Sequence, residues 1–409
     1  MNKKSISFYQ WKLSLGALYL FSFTLPFSLK ISNVLLALTA ALLIIRKDYL
    51  KDLKNALRDG TALSLFGLFL MYAVSFLWSD NKSHAGFVLE KHLSLLIIPL
   101  MTYPALHYLK SHVKYILLSF VAGILIAYGW IFALYFLHHM HQSDIEHYFR
   151  EIVMGYVELH PTYLAIYTIF TMLIIADGFN FNDSILKKAL TAILLLILLI
   201  FTLLTGARMP LLALFSIVIF TASFSLLKLR HGWIYTMGLL ICASIVGYFS
   251  IQIPVLKNRI SEITDTALAP PIDIHFNSVN LRIAQFQCGK EVIQRHWLLG
   301  VGIGDTQDQL NACYNEHGWS PALYERNYNP HNQYLQTWLN SGILALLLLL
   351  AGIFGPVLWG KTNRLHITLI VLFAICCLTE SLLEKNKGIV FFIFFTTLLS
   401  QYQRSIRKT

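Results

Sequence analysis

Apolar runs of 16 to 22 residues recur along this 409-residue chain, each long enough to cross a ~30 Å hydrocarbon core as a helix. Lipid offers no hydrogen bonds to an exposed backbone, so each run has to satisfy its own amide groups, which favours helices. The alternating pattern of a membrane barrel is absent. Composition agrees: 56% of residues are apolar and 13% are charged, roughly half the charged share of a soluble domain. The expected class is an all-α polytopic membrane protein. Its twelve candidate spans lie near 11–29, 31–45, 61–78, 86–106, 113–137, 161–176, 186–204, 209–227, 232–252, 332–359, 365–382 and 388–403. Lys3 and Lys4 precede the first run as in a signal peptide, but no small-x-small cleavage site follows and a second run begins at once. That stretch is read as a retained helix.

The net charge of +11 is carried by the connections, so it speaks of orientation and not of nucleic acid. With the N-terminus in the cytoplasm, cytoplasmic segments hold 19 of the 32 basic residues. The other side holds 13, of which six lie in one long loop that the positive-inside rule hardly weighs. Both termini are therefore expected to be cytoplasmic.

That long loop, residues 253–330, breaks the run of short connections and divides the chain. Spans one to nine occupy 1–252, a partly helical outer domain occupies 253–330, and three spans fill 331–409. A loop of this length is usually functional or a small domain. Within it Ile283, Phe286, Ile293 and Trp297 recur at helical spacing as a one-faced stripe. Cys288 and Cys313 also lie there and would pair if the loop faces an oxidising compartment.

Three outer-face positions bear chemistry. Thr205-Gly206-Ala207-Arg208-Met209-Pro210 joins two apolar runs, with Gly206 suited to a tight turn and Pro210 to the first helical turn. Arg208 thus stands at a helix N-terminus, where free N–H groups and a guanidinium both favour phosphate; the plainer reading is a snorkelling anchor. Asn329-Pro330-His331-Asn332 opens the tenth span, with Asn329 read as N-cap, Pro330 as N1 and His331 in the first turn. A histidine at that depth either exchanges protons or serves structure alone. Arg282 lies beside the loop stripe, with Lys290 and Arg295 farther along; each is either a solvated charge or one of a converging set.

Weaker signals surround these. Gly300-Val301-Gly302-Ile303-Gly304 lacks the spacing of a dinucleotide fingerprint and reads as a turn. His138, His139, His141 and His147, near Asp144 and Glu146, fit no tight metal motif, and no metal site is assigned. Glu90 and Lys91 lie inside the fourth span, where charge is costly and lining a water-filled outer cavity would justify it. Glu380 and Glu384 approach the outer end of the eleventh span and would bind a cation or, as the plainer reading, pair with Lys385 and Lys387.

The order of these motifs resembles the O-antigen ligase family, which belongs with O-antigen polymerases and protein O-oligosaccharyltransferases. The likeness covers about residues 200–388. It rests on the arginine after the Thr205-Gly206 turn, on Arg282 in Asn280-Leu281-Arg282-Ile283, on Gly300–Gly304, and on His331-Asn332 in Pro330-His331-Asn332-Gln333-Tyr334-Leu335. The chain departs from the family in having Ala207-Arg208-Met209 where Ser-Arg-Gly is usual.

The resemblance implies an inner-membrane glycosyltransferase acting on the periplasmic side, without a cofactor. The donor would be a glycan on undecaprenyl pyrophosphate, the acceptor a sugar hydroxyl of lipid A–core, and membrane lipids the surroundings. Arg208 and Arg282 would steady the leaving diphosphate and His331 would serve as general base. Asn332, Arg295 and Lys91 complete the candidate substrate-binding residues. A polymerase and a protein O-oligosaccharyltransferase are the alternatives within the family. A transporter or flippase is the alternative outside it, and would call for internal symmetry and midplane charges that the sequence lacks.

Overall fold

In the computed structural model, the described residues are 3–45, 49–109, 111–138, 145–155, 159–178, 180, 182–226, 233, 237, 269–272, 276–360 and 362–406. Among them all regular secondary structure is helical. In chain order the helices are α1 (Lys3–Thr24), α2 (Leu29–Ile44), α3 (Tyr49–Ala56), α4 (Gly60–Ser75), α5 (Lys82–His92), α6 (Ser94–Leu109), α7 (Val113–His138), α8 (Ile145–Gly155), α9 (Pro161–Asp177), α10 (Ile185–Leu204) and α11 (Arg208–Leu226). Then follow α12 (Ser278–His296), α13 (Thr306–Glu316), α14 (Ala322–Glu325), α15 (Gln333–Leu358), α16 (Arg364–Cys376) and α17 (Asn386–Ile406).

Among the described residues, four stretches are long and apolar enough to cross a membrane: Lys82–Tyr103, Val113–Leu137, Ile185–Leu204 and Gln333–Leu358. Six further apolar helices are shorter; a 16-residue helix such as α2 or α4 is only about 24 Å long. The twelve spans expected from hydropathy thus include several whose regular helix stops short of the apolar run. The run at 365–382 is the clearest case, because α16 ends at Cys376. The expected span at 232–252 and the start of the long loop lie outside the described residues, as do the histidine-rich segment's 139–144 and the side chains of His138, Glu146 and His147.

The helix starts follow from local chemistry. Ser28, Asp59, Ser184, Asn277, Asn332 and Asn363 each cap the helix that follows by accepting a backbone N–H. The packing then sorts helices by the breadth of their apolar surface. In α17, Ile389 to Phe395 are all buried, as are Leu398 and Leu399, and Phe391 and Phe395 interlock with Phe120 of α7 and Phe170 of α9. A helix apolar all round belongs in the centre. α10 is the opposite case, with only 11% of its apolar window buried, and so lies at the lipid-facing edge. Close approaches are made through glycine, as membrane packing favours. On α7, a Cβ on Gly123 would stand 2.1 Å from the Phe23 carbonyl oxygen of α1.

The polar segment after α11 is bolted to the bundle at a break in α15. Ser341 (φ −147°) and Gly342 (φ 78°) leave the helical region, and the interrupted ladder is completed from outside. Val301 N–H donates to the Leu339 carbonyl (2.8 Å), Gly302 N–H to that of Asn340 (3.1 Å), and Ile343 N–H to the Trp297 carbonyl (3.1 Å). The Gly300–Gly304 segment, read as a turn, is therefore a strap. A side chain on Gly342 would meet the Leu298 carbonyl oxygen at 2.0 Å, and one on Gly304 the Asn81 carbonyl oxygen at 2.4 Å. At its far end Gly304 N–H donates to Ser79 Oγ (3.1 Å), and the Asp305 carboxylate accepts the Asp80 and Asn81 N–H groups (2.7 and 2.8 Å).

α12 carries the second small core. Its buried face is Leu281, Ala284, Cys288, Val292 and Ile293, packed on Leu310, Cys313, Tyr314 and Leu323. This corrects the expected stripe: Phe286 and Trp297 are each 55% exposed. The register that wins is the one that brings Cys288 to Cys313, and the two form a disulfide across 25 residues. Replacing both cysteines by serine should lower the stability of this loop domain by about 3.5 kcal/mol, from the chain entropy of a loop that long. The measurement is a denaturant titration followed by Trp319 fluorescence; an unchanged midpoint would show that the bridge is dispensable.

Candidate functional site

The site forms where the start of α15 meets the irregular segment after α16. α15 begins one turn later than the sequence suggests. Asn332 is the N-cap, its Oδ1 accepting the N–H groups of Tyr334 and Leu335 (2.9 and 3.0 Å). Asn329, expected as the cap, instead accepts the His331 N–H (2.9 Å), a local turn that holds His331 in the left-handed region at φ 44°. His331 is thus not in the first helical turn but just outside it. Such a backbone is unusual for histidine and is imposed by its surroundings. Those surroundings stitch the two segments together: Gln333 N–H donates to the Cys377 carbonyl (2.9 Å) and Asn332 Nδ2 to that of Leu378 (3.0 Å).

The stitching brings Glu380 to His331. Glu380 Oε2 is 3.3 Å from His331 Nδ1, and Glu380 Oε1 is 4.0 Å from a terminal nitrogen of Arg282. Glu380 therefore pairs with a histidine and an arginine. With Nδ1–H given to the carboxylate, His331 Nε2 carries the lone pair. Arg282 stands in the first turn of α12, fixed by the reciprocal cap in which Asn277 accepts the Asn280 N–H and Asn280 accepts that of Asn277.

His331 and Glu380 line a cavity of about 480 Å³ with His160, Tyr163, Lys385 and Lys387 among its walls. His160 caps α9, its Nδ1 accepting the Thr162 N–H (3.3 Å). Burial pushes its imidazole below the ordinary histidine range although Glu380 acts in the opposite sense. It is therefore neutral at neutral pH, with its proton on Nε2.

Behind this cavity lies a polar stripe that sequence reasoning missed. Gln333, Gln336, Thr337 and Asn340 sit at i, i+3, i+4 and i+7 along an otherwise apolar span, and all are buried. That spacing was visible as a one-faced polar row. Gln333 donates to Thr337 (3.0 Å), Gln336 to Asn340 (3.0 Å) and Asn340 to the Glu384 carboxylate (3.3 Å). Lys91, singled out for its depth, donates to the Glu384 carbonyl (3.3 Å) and so props the same turn from α5.

The remaining candidates are placed differently. Arg208 is exposed and opens α11 directly after Gly206, whose φ of 66° makes the turn. α11 packs on α9 and α16, two of the helices whose ends frame the cavity. Arg295 does not converge with Arg282: thirteen residues of one helix separate them by about 20 Å. It pairs with Glu291 (2.7 Å), which also accepts from His317 Nε2 (2.9 Å). The His317 hydrogen bond, more than either charge, holds the Glu291 carboxyl below the usual range. Cys288, Cys313 and His317 lie within ligand distance of one another, but the two sulfurs are joined to each other.

Residues 193–350 match the family model described as O-antigen ligase. That stretch contains Arg208, Arg282, the glycine strap, His331 and Asn332, the positions that carry the resemblance. The match supports a membrane glycosyltransferase of the O-antigen ligase or polymerase type. No curated protein matches the chain.

Two outcomes follow from the geometry. A depressed Glu291 pKa stabilises the loop domain above the carboxylate's unfolded pKa, and this contribution fades as pH falls through the folded value. Glu291→Gln should therefore cost stability at pH 7, by under about 1 kcal/mol for so exposed a group, and less at pH 3. Thermal melts at the two pH values read the difference; an equal loss at both would refute the pairing. Glu380→Gln should keep the fold and lower the rate of any reaction that uses His331 as a base, which an activity assay at constant pH would record; a parental rate would show that the pairing is dispensable.

Proposed function

We propose that the chain transfers a glycan from undecaprenyl pyrophosphate to a sugar hydroxyl of lipid A–core, at the periplasmic face of the bacterial inner membrane. The observation that carries the reading is the His331–Glu380–Arg282 constellation at a cavity, with His331 and Arg282 inside the O-antigen ligase match and Glu380 beyond its end. Glycosyl transfer needs a base for the acceptor hydroxyl and stabilisation of a departing phosphate, and both kinds of group are present.

In this reading the acceptor hydroxyl gives its proton to His331 Nε2. Its oxygen forms a bond to the anomeric carbon of the donor sugar, and the bond from that carbon to the diphosphate oxygen breaks. The electron pair leaves on undecaprenyl diphosphate. Glu380 holds the imidazole by Nδ1–H and steadies the imidazolium that forms. Arg282 and Arg208 supply positive charge toward the diphosphate, Arg208 from the N-terminus of α11. Asn332 acts by capping α15 and so fixing His331, and Lys91 by propping the turn at Glu384. Arg295, bound to Glu291, is assigned to the loop's structure instead of the substrate. The donor is already activated, so the step needs no nucleotide.

The test is transfer in vitro from a lipid-pyrophosphate glycan to purified lipid A–core. His331→Ala and Arg282→Ala should each lower the rate at least 100-fold, the range typical of a lost base or charge stabiliser. Insertion and detergent-solution size should not change. Arg295→Ala should transfer as the parent does. Longer lipid-linked chains in place of capped lipid A–core would identify a polymerase, and normal transfer by both active-site variants would end the proposal.

A further inference from the structure

The cations that line the cavity beside His331 are lysines. Arg282 reaches that cavity through Glu380, whereas Lys385 and Lys387 are themselves among its walls, with Asn386 between them. Lys385 joins the short helical turn Leu382–Glu384 to α17, and Asn386 and Lys387 are the first two residues of that helix.

This turn is built, and not merely a mobile edge. Tyr163 Oη donates to the Leu382 carbonyl (3.2 Å) and Tyr167 Oη to the Lys387 carbonyl (2.9 Å). Leu383 N–H is held by Gln333 Oε1 (2.6 Å), Lys91 reaches the Glu384 carbonyl, and Gly388 N–H donates to that of Lys385 (3.0 Å). Gly388 is required there, since a Cβ would stand 2.0 Å from the Leu382 carbonyl oxygen. Side chains of three other helices thus fix the backbone from which both lysines project, which is the preorganisation an anion site needs.

The local charge is cationic. Lys385, Lys387, Arg282 and Lys91 face two carboxylates, and both of these are engaged: Glu380 by His331 and Arg282, Glu384 by Asn340. His160 adds a neutral Nε2–H donor to the same wall.

We infer that the Lys385-Asn386-Lys387 segment is a phosphate-binding element of this cavity, taking the phosphate or diphosphate ester of a lipid substrate. The inference rests on the proposed reading of the cavity as a glycosyltransferase site. It assigns the diphosphate's positive contacts to residues that the family match, ending at residue 350, does not reach.

The experiment is binding of three probes to the full-length chain in phosphatidylcholine nanodiscs: undecaprenyl pyrophosphate, bisphosphorylated lipid A and inorganic pyrophosphate. The double variant K385Q/K387Q should bind undecaprenyl pyrophosphate at least tenfold more weakly, the loss of one charge-assisted contact or more. K385R/K387R should stay within threefold of the parent, and H331Q within twofold. A larger loss for undecaprenyl pyrophosphate than for lipid A supports the site and assigns it to the donor; the reverse supports it and assigns it to the acceptor. Parent-like affinity for all three probes in the glutamine variant overturns the inference. Should that variant not fold, K385Q and K387Q alone decide: less than twofold change in both overturns it, and threefold or more in either supports it. If the parent binds the probe through the lysines yet transfers no glycan, the functional reading fails and this site stands. If transfer depends on His331 while the lysines leave binding unchanged, the reverse holds.

Discussion

Three backbone hydrogen bonds at the break in α15 hold the loop domain to the membrane helices. A helix interrupted at Ser341 and Gly342 leaves carbonyls without partners in a setting where water is scarce, and each orphan is costly. The strap meets that need by giving Val301 and Gly302 N–H groups to Leu339 and Asn340, while Ile343 donates to Trp297. The exchange works only because the strap's backbone comes within bonding distance, and Gly300, Gly302, Gly304 and Gly342 all sit where a Cβ would collide. So the glycines and the break are one device. It sets the end of α12 against the middle of α15, and so helps fix where Arg282, a little over two turns before Glu291 on that helix, meets Glu380.

The same economy governs the cavity. The residues proposed to act come from helix ends: His331 before α15, Glu380 after α16, Lys385 just before α17 and Lys387 in its first turn. Helix ends are the places in a membrane bundle where backbone and side-chain polar groups gather without long loops. They are also where N-terminal dipoles favour anions. The buried row Gln333, Thr337 and Asn340 then carries polarity inward from that rim and ties α15 to the Leu382–Glu384 turn. Gln333, Thr337 and Asn340 are tolerated inside a span because they are hydrogen-bonded, whereas Gln336 Oε1 is buried without a partner.

Much of this was legible in residue patterns. Apolar runs announced the helices, Gly206 and Arg208 announced their turn and helix start, and Cys288 and Cys313 announced a pair whose only unknown was the compartment. What failed did so for physical reasons. Asn329 and Asn332 are equally good caps by type, and only tertiary bonds to Cys377 and Leu378 select the second. The α12 stripe misled because Phe286 and Trp297 share a helical spacing with buried positions while the disulfide and small core chose another face. Glu380's partners lie 49 and 98 positions away in sequence, and no local rule links them.

The placement of the charges also alters how the chemistry should be pictured. From sequence alone the arginines command attention, since guanidinium geometry suits phosphate. In the folded chain one arginine of the loop is spent on Glu291, and Arg282 shares Glu380 with His331. A carboxylate bridging an imidazole and a guanidinium couples the two, so a change at either partner is felt at the other. In the proposed reading Lys385 and Lys387, whose backbone is fixed by α5, α9 and α15, would take the complementary task of holding the phosphate.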